Sequence, residues 1–149
     1  MGNVFSVNEI ISFLENRTFD AFRFQDGCAS IDSHEAGEIL IEAPDGIIAE
    51  NRRKYVTDML HHLDKCIKRA HLWLEHFYLK RDQWYPDALD QGFAVCGMYF
   101  GTYTYGHDPE PVTNGFTLSF RTVAYFPCIF TVKFSGDDIQ PFAVEEWLE

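Results

Sequence analysis

The sequence predicts an α+β fold: a single domain over residues 1–149, with a mainly antiparallel sheet packed against one long helix and a short N-terminal helix. Three observations predict this class. A helix-start motif precedes a short apolar stripe, a long central segment repeats apolar residues at helical spacing, and aromatic and β-branched residues fill the segments on both sides of it. The length of 149 residues suffices for one hydrophobic core.

The short N-terminal helix is predicted over residues 7–16. Ser6 and Glu9 have the spacing of a capping box, in which the Ser6 hydroxyl accepts a hydrogen bond from the Glu9 amide and the Glu9 carboxylate accepts one from the Ser6 amide. Apolar residues follow on one face: Ile10, Ile11, Phe13 and Leu14.

Sheet is predicted between the two helices. The phenylalanine-rich stretch 19–24 and the apolar run 37–43 predict strands, and a further short strand is expected near residues 28–31. The turn sequence Pro-Asp-Gly at 44–46 ends this part of the sheet.

Residues 50–79 predict one long helix. Apolar residues recur there at steps of three or four: Tyr55, Met59, Leu63, Ile67, Ala70, Leu74 and Phe77. Leu72 and Leu79 fall on the opposite face at 100° per residue. The end of the helix is therefore expected either to be covered by other parts of the chain or to be an exposed contact surface.

The C-terminal third of the chain is predicted to be mostly strands. Residues 93–100 are apolar on both faces, which predicts a central strand, and Asn114-Gly115 is a hairpin-turn signal. Apolar and polar residues alternate over 128–134, which predicts a half-buried strand, and Pro127 before it predicts an edge position or a bulge. A short final element is expected over 142–148.

Charge is distributed unevenly along the chain. The formal net charge is -11; residues 52–81 contribute +5, and the two flanks, 1–51 and 82–149, contribute -8 each. Such flanks repel a phosphate backbone and attract a basic protein. The sequence therefore predicts a basic protein partner and no nucleic-acid partner.

The sequence predicts a cytoplasmic protein without a membrane partner. Glu9 and Glu15 interrupt the N-terminal region, so no signal peptide is expected, and glycines break the longest uncharged stretch, 91–107. Four cysteines lie at least 30 residues apart, which is typical of free thiols in a reducing compartment: Cys28, Cys66, Cys96 and Cys128.

Metal and cysteine chemistry are weakly supported. His62 and Cys66 are separated by four residues on the long helix and could begin a metal site, but nothing in the sequence requires its completion. Cys28, close to a predicted turn, is open as a nucleophile, although a bystander thiol is favoured. We predict no catalytic residue, no metal ligand and no cofactor.

Carboxylates cluster at several places in the sequence, including Glu35, Glu38 and Glu42. They are interpreted as solvated charges or, functionally, as an acidic patch that neutralises a basic partner, with tyrosines as aromatic anchors. The predicted partner-binding residues are Asp108, Glu110, Asp137, Asp138, Glu145, Glu146, Tyr103 and Tyr105.

Several of these features form a recognisable combination: a pI of about 4.8, no catalytic motif, and an aromatic-rich strand over 125–134 followed by Gly136-Asp137-Asp138. In this overall character the chain resembles the immunity proteins of contact-dependent inhibition and other polymorphic toxin systems of bacteria. The resemblance implies a cytosolic protein that binds and blocks a toxin domain, often a basic nuclease. We expect a monomer or weak dimer. The alternative is a small enzyme or accessory module with a pocket on the sheet.

Overall fold

The computed structural model describes residues 3–81, 94–103, 114–122 and 128–148, with backbone alone at 77–81, 122, 128 and 146–148. It confirms the α+β class. The helices in these ranges are α1 (Val7–Glu15), α2 (Glu50–His61) and α3 (Leu63–Arg81). The strands are β1 (Val4–Phe5), β2 (Arg23–Gln25), β3 (Cys28–Ser33), β4 (Gly37–Glu42), β5 (Ala94–Phe100), β6 (Gly115–Thr122), β7 (Cys128–Ser135) and β8 (Pro141–Leu148).

The strands form one mixed sheet in the order β1-β3-β4-β5-β6-β7-β8, and β2 also pairs with β3. The pairs β1–β3 and β4–β5 are parallel, and the other five described pairings are antiparallel. The chain passes from β4 to β5 through α2 and α3, which supply the long crossover that a parallel pair needs. Gly37 begins β4 at a φ of 68°, and a Cβ there would lie 2.3 Å from the carbonyl oxygen of Cys96 on β5.

One face of the sheet packs on the helices. Ile39, Met98, Leu118 and Val132 lie in register across four strands, and all are buried. Stacked rings extend this core, because the Phe116 ring lies 5.3 Å from that of Phe100 and 4.5 Å from that of Phe134. The helices contribute Ile10, Leu14, Val56, Met59, Leu63 and Leu74 to the same core.

The predicted single helix over 50–79 is interrupted at His62, so the prediction of one long helix is wrong. The His62 amide donates to the Met59 carbonyl, three residues back, and the helical bonding of α3 starts when the Cys66 amide donates to the His62 carbonyl. The His62 ring nitrogen Nδ1 lies 2.9 Å from the Asp58 carbonyl, which the His62 amide would bond in a continuous helix. The apolar spacing continues from Met59 to Leu63 across the break, so the periodicity did not reveal it.

The short helix and its capping box are confirmed, because the Ser6 hydroxyl accepts from the Glu9 amide at 3.1 Å and the Glu9 carboxylate accepts from the Ser6 amide at 3.0 Å. The strand predicted over 19–24 is only partly correct. Phe19 and Phe22 lie in a turn closed by a backbone hydrogen bond between them, and β2 begins at Arg23.

The central position of β5 is confirmed, since it lies between β4 and β6; Phe93, included in the predicted strand, lies outside the described residues. The edge position suggested by Pro127 is wrong, because β7 lies between β6 and β8. A register shift in β7 occurs at its other end, between Lys133 and Phe134, and Pro127 itself is outside the described ranges.

One face of α3 is exposed at Leu72 and another is buried at Leu74. Leu72 is 58% exposed, whereas Leu74 is fully buried, and the side chains of Phe77 and Leu79 lie beyond the described part. No helix in the described ranges is long and apolar enough to cross a membrane.

Candidate functional site

A cleft of about 880 Å³ opens between the first turns of α2 and the turn that joins β7 to β8. It lies near the carboxyl end of β5, because β6 pairs antiparallel with β5 and begins beside the cleft residue Asn114. We call it the α2 cleft. The described residues that line it are Asn51, Arg52, Lys54, Tyr55, Asp58, Asn114 and Asp137.

The turn over 136–140 forms one wall of the α2 cleft, and α2 holds it from one side. The Tyr55 hydroxyl donates to the Gly136 carbonyl at 2.7 Å, and the Gly136 amide donates to the Asn114 carbonyl at 2.7 Å. These two bonds fix the start of the turn between α2 and Asn114, the residue before β6. The position of Asp137, the next residue along the chain, follows from them.

A second helix holds the end of the same turn. The Arg69 guanidinium of α3 donates to the carbonyls of Asp138 and Ile139, each at 2.8 Å. Ile139 has a φ of 51°, a region that a β-branched residue adopts at a cost of roughly 1–3 kcal/mol. The two hydrogen bonds from Arg69 and the burial of the Ile139 side chain offset that cost.

Glu42, the last residue of β4, connects the cleft to the sheet. Its carboxylate accepts hydrogen bonds from the Thr102 amide at 3.2 Å, from the Arg52 guanidinium at 3.4 Å and from the Tyr99 hydroxyl at 3.5 Å. Arg52 therefore has a counter-charge on the sheet side of the cleft.

The phenols near the cleft stay protonated at neutral pH. Burial raises the pKa of Tyr55, and the negative charge of Asp137 raises it further. Burial likewise raises the pKa of Tyr103, and burial with the charge of Glu42 raises that of Tyr99. These side chains therefore act as neutral hydrogen-bond donors.

The thiols of Cys28 and Cys66 do not have the environment of a nucleophile. Burial raises the pKa of Cys66 to about 12. Burial, then the charges of Glu42 and Asp26, raises the pKa of Cys28. Because the thiolate is the reactive form, both groups are poorly suited to covalent catalysis at neutral pH.

The structure separates the two side chains of the metal hypothesis. His62 is exposed, whereas Cys66 is fully buried with its sulfur 4.0 Å from the Met59 carbonyl. Among the described residues, no group of three His, Cys, Asp or Glu side chains is placed to hold a metal ion.

A second surface lies on the side of β2, β3 and β4 that points away from the helices. It bears carboxylates in alternating strand positions and in the β2–β3 turn, and we call it the acidic face: Asp26, Asp32, Glu38 and Glu42. The Arg23 guanidinium lies 3.4 Å from Asp32 and 3.7 Å from Glu38. A shallow depression of about 370 Å³ on this surface includes Cys28 and Leu40.

Glu35, close in sequence to the acidic face, has a different role. Its carboxylate accepts a hydrogen bond from the Val7 amide at 3.0 Å, at the first turn of α1. A carboxylate there satisfies one of the amides that a helix leaves unpaired. The sequence cluster of Glu35, Glu38 and Glu42 therefore divides between a helix start and the open face of the sheet.

The predicted partner-binding residues fall into two described groups. Asp137 and Asp138 are exposed on the 136–140 turn, and Asp137 lines the α2 cleft. Glu145 instead pairs with the ammonium of Lys133 at 2.5 Å, and Lys133 is only 5% exposed. Tyr103 belongs to this second group, since its ring centroid lies 5.4 Å from the Lys133 ammonium.

The other predicted residues receive no structural test. The side chain of Glu146 is not described, and Asp108, Glu110 and Tyr105 lie outside the described residues. Of the seven described residues that line the cleft, sequence reasoning selected only Asp137 as a partner-binding residue and missed the other six. Nothing local to the sequence marks them, because contacts between distant elements form the cleft.

Compared with known proteins, the chain matches no protein-family model, no curated protein and no solved structure. Function is therefore inferred from the charges, contacts and cavities of the chain itself.

Proposed function

We propose that this chain is a non-catalytic binding protein that neutralises a basic protein partner through its acidic surfaces. The proposed partner is the toxin domain, of nuclease type, of a bacterial toxin–immunity pair. The protein acts in the cytoplasm, as a monomer or weak dimer, and uses no cofactor. The observation that carries this proposal is the set of carboxylates that remain exposed on the acidic face and on the 136–140 turn.

Several cations of the basic segment serve the fold itself. Arg53 is 7% exposed, and its guanidinium donates to the Glu50 carboxylate and to the Leu14 carbonyl. Arg52 pairs with the carboxylate of Glu42, and Arg69 bonds the 136–140 turn. Lys54, Lys65 and Lys68 remain exposed, so the basic surface of these helices is smaller than the sequence alone indicates.

Some carboxylates, such as Glu35, Glu42 and Glu145, also make contacts within the fold, but others remain exposed. Asp26 and Glu38 are exposed on the acidic face, and Asp137 and Asp138 are exposed on the turn. With a net charge of -11, these groups attract a cationic protein and can raise its association rate by roughly 10- to 1,000-fold. A surface of this kind can occupy the site where a nuclease binds phosphates.

The Tyr55 phenol of the cleft and two thiols elsewhere in the fold agree with a binding role. Raised pKa values keep the Tyr55 phenol and the thiols of Cys28 and Cys66 protonated at neutral pH. None of these three groups is therefore activated as a base or nucleophile.

Affinity capture from lysate of the source cells, with elution by a salt gradient and mass spectrometry, tests the proposal. The expected result is one basic toxin domain released by salt, whose activity falls when the purified chain is added. Recovery of a neutral or acidic partner that resists salt, or a toxin that stays active when bound, would contradict it. D137K/D138K should slow association, whereas D20K/E75K, which makes the same charge change elsewhere, should have a smaller effect.

The α2 cleft favours a second candidate function, a small enzyme or accessory module that binds a small molecule. Its volume of about 880 Å³ lies within the range of roughly 300–1,000 Å³ typical of ligand sites. A thermal-shift screen against small polar metabolites would support this candidate if one compound raised Tm in a saturable way.

A further inference from the structure

We propose that the α2 cleft receives a cationic side chain of the protein partner, an arginine or a lysine, between the carboxylates of Asp58 and Asp137. The inference rests on the proposed function, because it takes the cation from the basic partner. It adds a specific pocket to a general attraction between opposite charges.

Tyr55 links the two elements that carry these carboxylates, α2 and the 136–140 turn. Asp58 lies three residues after Tyr55 on α2, so the two side chains are neighbours on the helix surface. Asp137 follows Gly136, whose carbonyl accepts the Tyr55 hydroxyl at 2.7 Å. Because that hydrogen bond holds the half-buried ring, Tyr55 supplies a fixed aromatic wall on which a guanidinium or ammonium can lie.

The charges and hydrogen-bonding groups of the other lining residues are compatible with a bound cation. Arg52 already has Glu42 as a counter-charge at 3.4 Å, with a side chain only 16% exposed. Asn51 and Asn114 add amide oxygens that can accept hydrogen bonds from a guanidinium. Among the described lining residues Lys54 is the exposed cation, so it should oppose the incoming charge.

An NMR titration of the isotopically labelled chain with N-acetyl-L-arginine amide tests the pocket. The controls are N-acetyl-L-norleucine amide, which lacks the cation, and potassium chloride at the same ionic strength. We expect saturable shifts at Asp58, Asn114 and Asp137 with the arginine probe alone. No saturable shift there, or equal shifts with norleucine, would overturn the assignment.

Three variants test the sign of the recognised charge. D58N/D137N should raise the Kd of the arginine probe at least about tenfold, because charge-assisted hydrogen bonds are lost. D26N/E38Q removes the same charge from the acidic face and should change the Kd by less than about twofold. K54M should lower the Kd. The opposite pattern, with weaker binding by K54M and tighter binding by D58N/D137N, would show an anion site and overturn the proposal.

The same variants separate this inference from the proposed function. If the captured toxin domain binds D58N/D137N as tightly as the parent chain, the pocket assignment fails and the proposed function stands. If the arginine probe binds in the cleft but no basic protein partner exists, the cation site is supported and its proposed protein source is removed.

Discussion

The acidic face and the 136–140 turn both present carboxylates, but the protein positions them in different ways. On the acidic face, Asp32 and Glu38 are direct partners in the register of β3 and β4, so strand pairing between neighbours along the chain places them. On the turn, Asp137 and Asp138 depend on Tyr55 and Arg69 from two helices distant in sequence. Local register is therefore sufficient for one surface, whereas the other exists only once the whole fold has formed.

The largest expected effect is a loss of stability caused by a substitution in the core that supports both surfaces. Phe116→Ala removes a fully buried ring that stacks on Phe100 and Phe134, and we expect a loss of about 3–5 kcal/mol in the free energy of unfolding. Urea denaturation measures it. Phe24→Ala, at a position 41% exposed, is the matched control and should cost less than about 1.5 kcal/mol. Equal losses for the two variants would contradict the described core.

Glu145 should behave as a residue of the fold. Glu145→Leu removes the carboxylate that pairs with the buried ammonium of Lys133 and should destabilise the protein by about 3 kcal/mol. The double variant Lys133→Met/Glu145→Leu should recover most of that loss, because the ammonium is removed together with the carboxylate. Thermal and urea unfolding measure the stability of the single and the double variant. A single variant as stable as the parent would return Glu145 to the candidate interface.

A substitution at Arg69 should destabilise the 136–140 turn and leave the acidic face unchanged. Arg69→Met removes both hydrogen bonds to the carbonyls of Asp138 and Ile139, and we expect a loss of about 2 kcal/mol. Hydrogen exchange should rise at the turn and stay unchanged in β3 and β4. Lys68→Met, which removes an exposed charge from the same helix, is the control and should stay within about 0.5 kcal/mol of the parent.

Charge reversal compares the two surfaces as partner sites. D137K/D138K should lower the association rate of the basic partner by about tenfold at low salt, with a smaller effect at high salt. D26K/E38K makes the same change on the acidic face. Stopped-flow rates for the two variants show which surface steers association. If neither rate differs from that of D20K/E75K, neither surface is the interface.

The smallest effect concerns the start of α2 and depends on pH. Hydrogen bonds from Arg53 and Arg17 lower the pKa of Glu50 from 4.5 to about 2. Because the pKa is lower in the folded state, Glu50 contributes stability above about pH 4.5 and loses that contribution as the pH falls toward 2. The difference in Tm between the parent and Glu50→Gln should therefore shrink over this range. A constant difference would show that the ion pairs are not formed in solution.

Much of the fold was predictable because its signals are local. The capping box at Ser6 and Glu9 predicts α1, and the alternation of apolar and polar residues predicts β7. The break at His62 was not predictable, since it comes from one ring that competes for the Asp58 carbonyl while the apolar spacing continues unchanged. The role of Glu35 at the start of α1 depends on a contact between residues 28 positions apart.

For the candidate site, the sequence predicts which residues carry charge but not how the fold positions them. Sequence reasoning selected Asp137 and Asp138 from their turn, but it could not see that Arg69 and Tyr55 hold that turn. Glu145 is an acidic residue like its neighbour Glu146 in the sequence. Only the fold shows that Glu145 lies opposite Thr131 in the sheet, with its carboxylate paired to Lys133 two positions along β7. Residue type thus indicates which groups can bind a cation, whereas long-range contacts decide which of them are available.

The parallel pair β4–β5 has a consequence for the order of assembly. Glu38 and Gly97 are partners in this pair although they lie 59 positions apart in the chain. Closing the loop between them costs about 4 kcal/mol of chain entropy. The antiparallel pairs on either side close over shorter separations and should form earlier. Gly37 of β4 lies against the Cys96 backbone of β5, where any larger side chain would prevent the two strands from pairing. We therefore expect a nascent chain to display its acidic face before the α2 cleft exists.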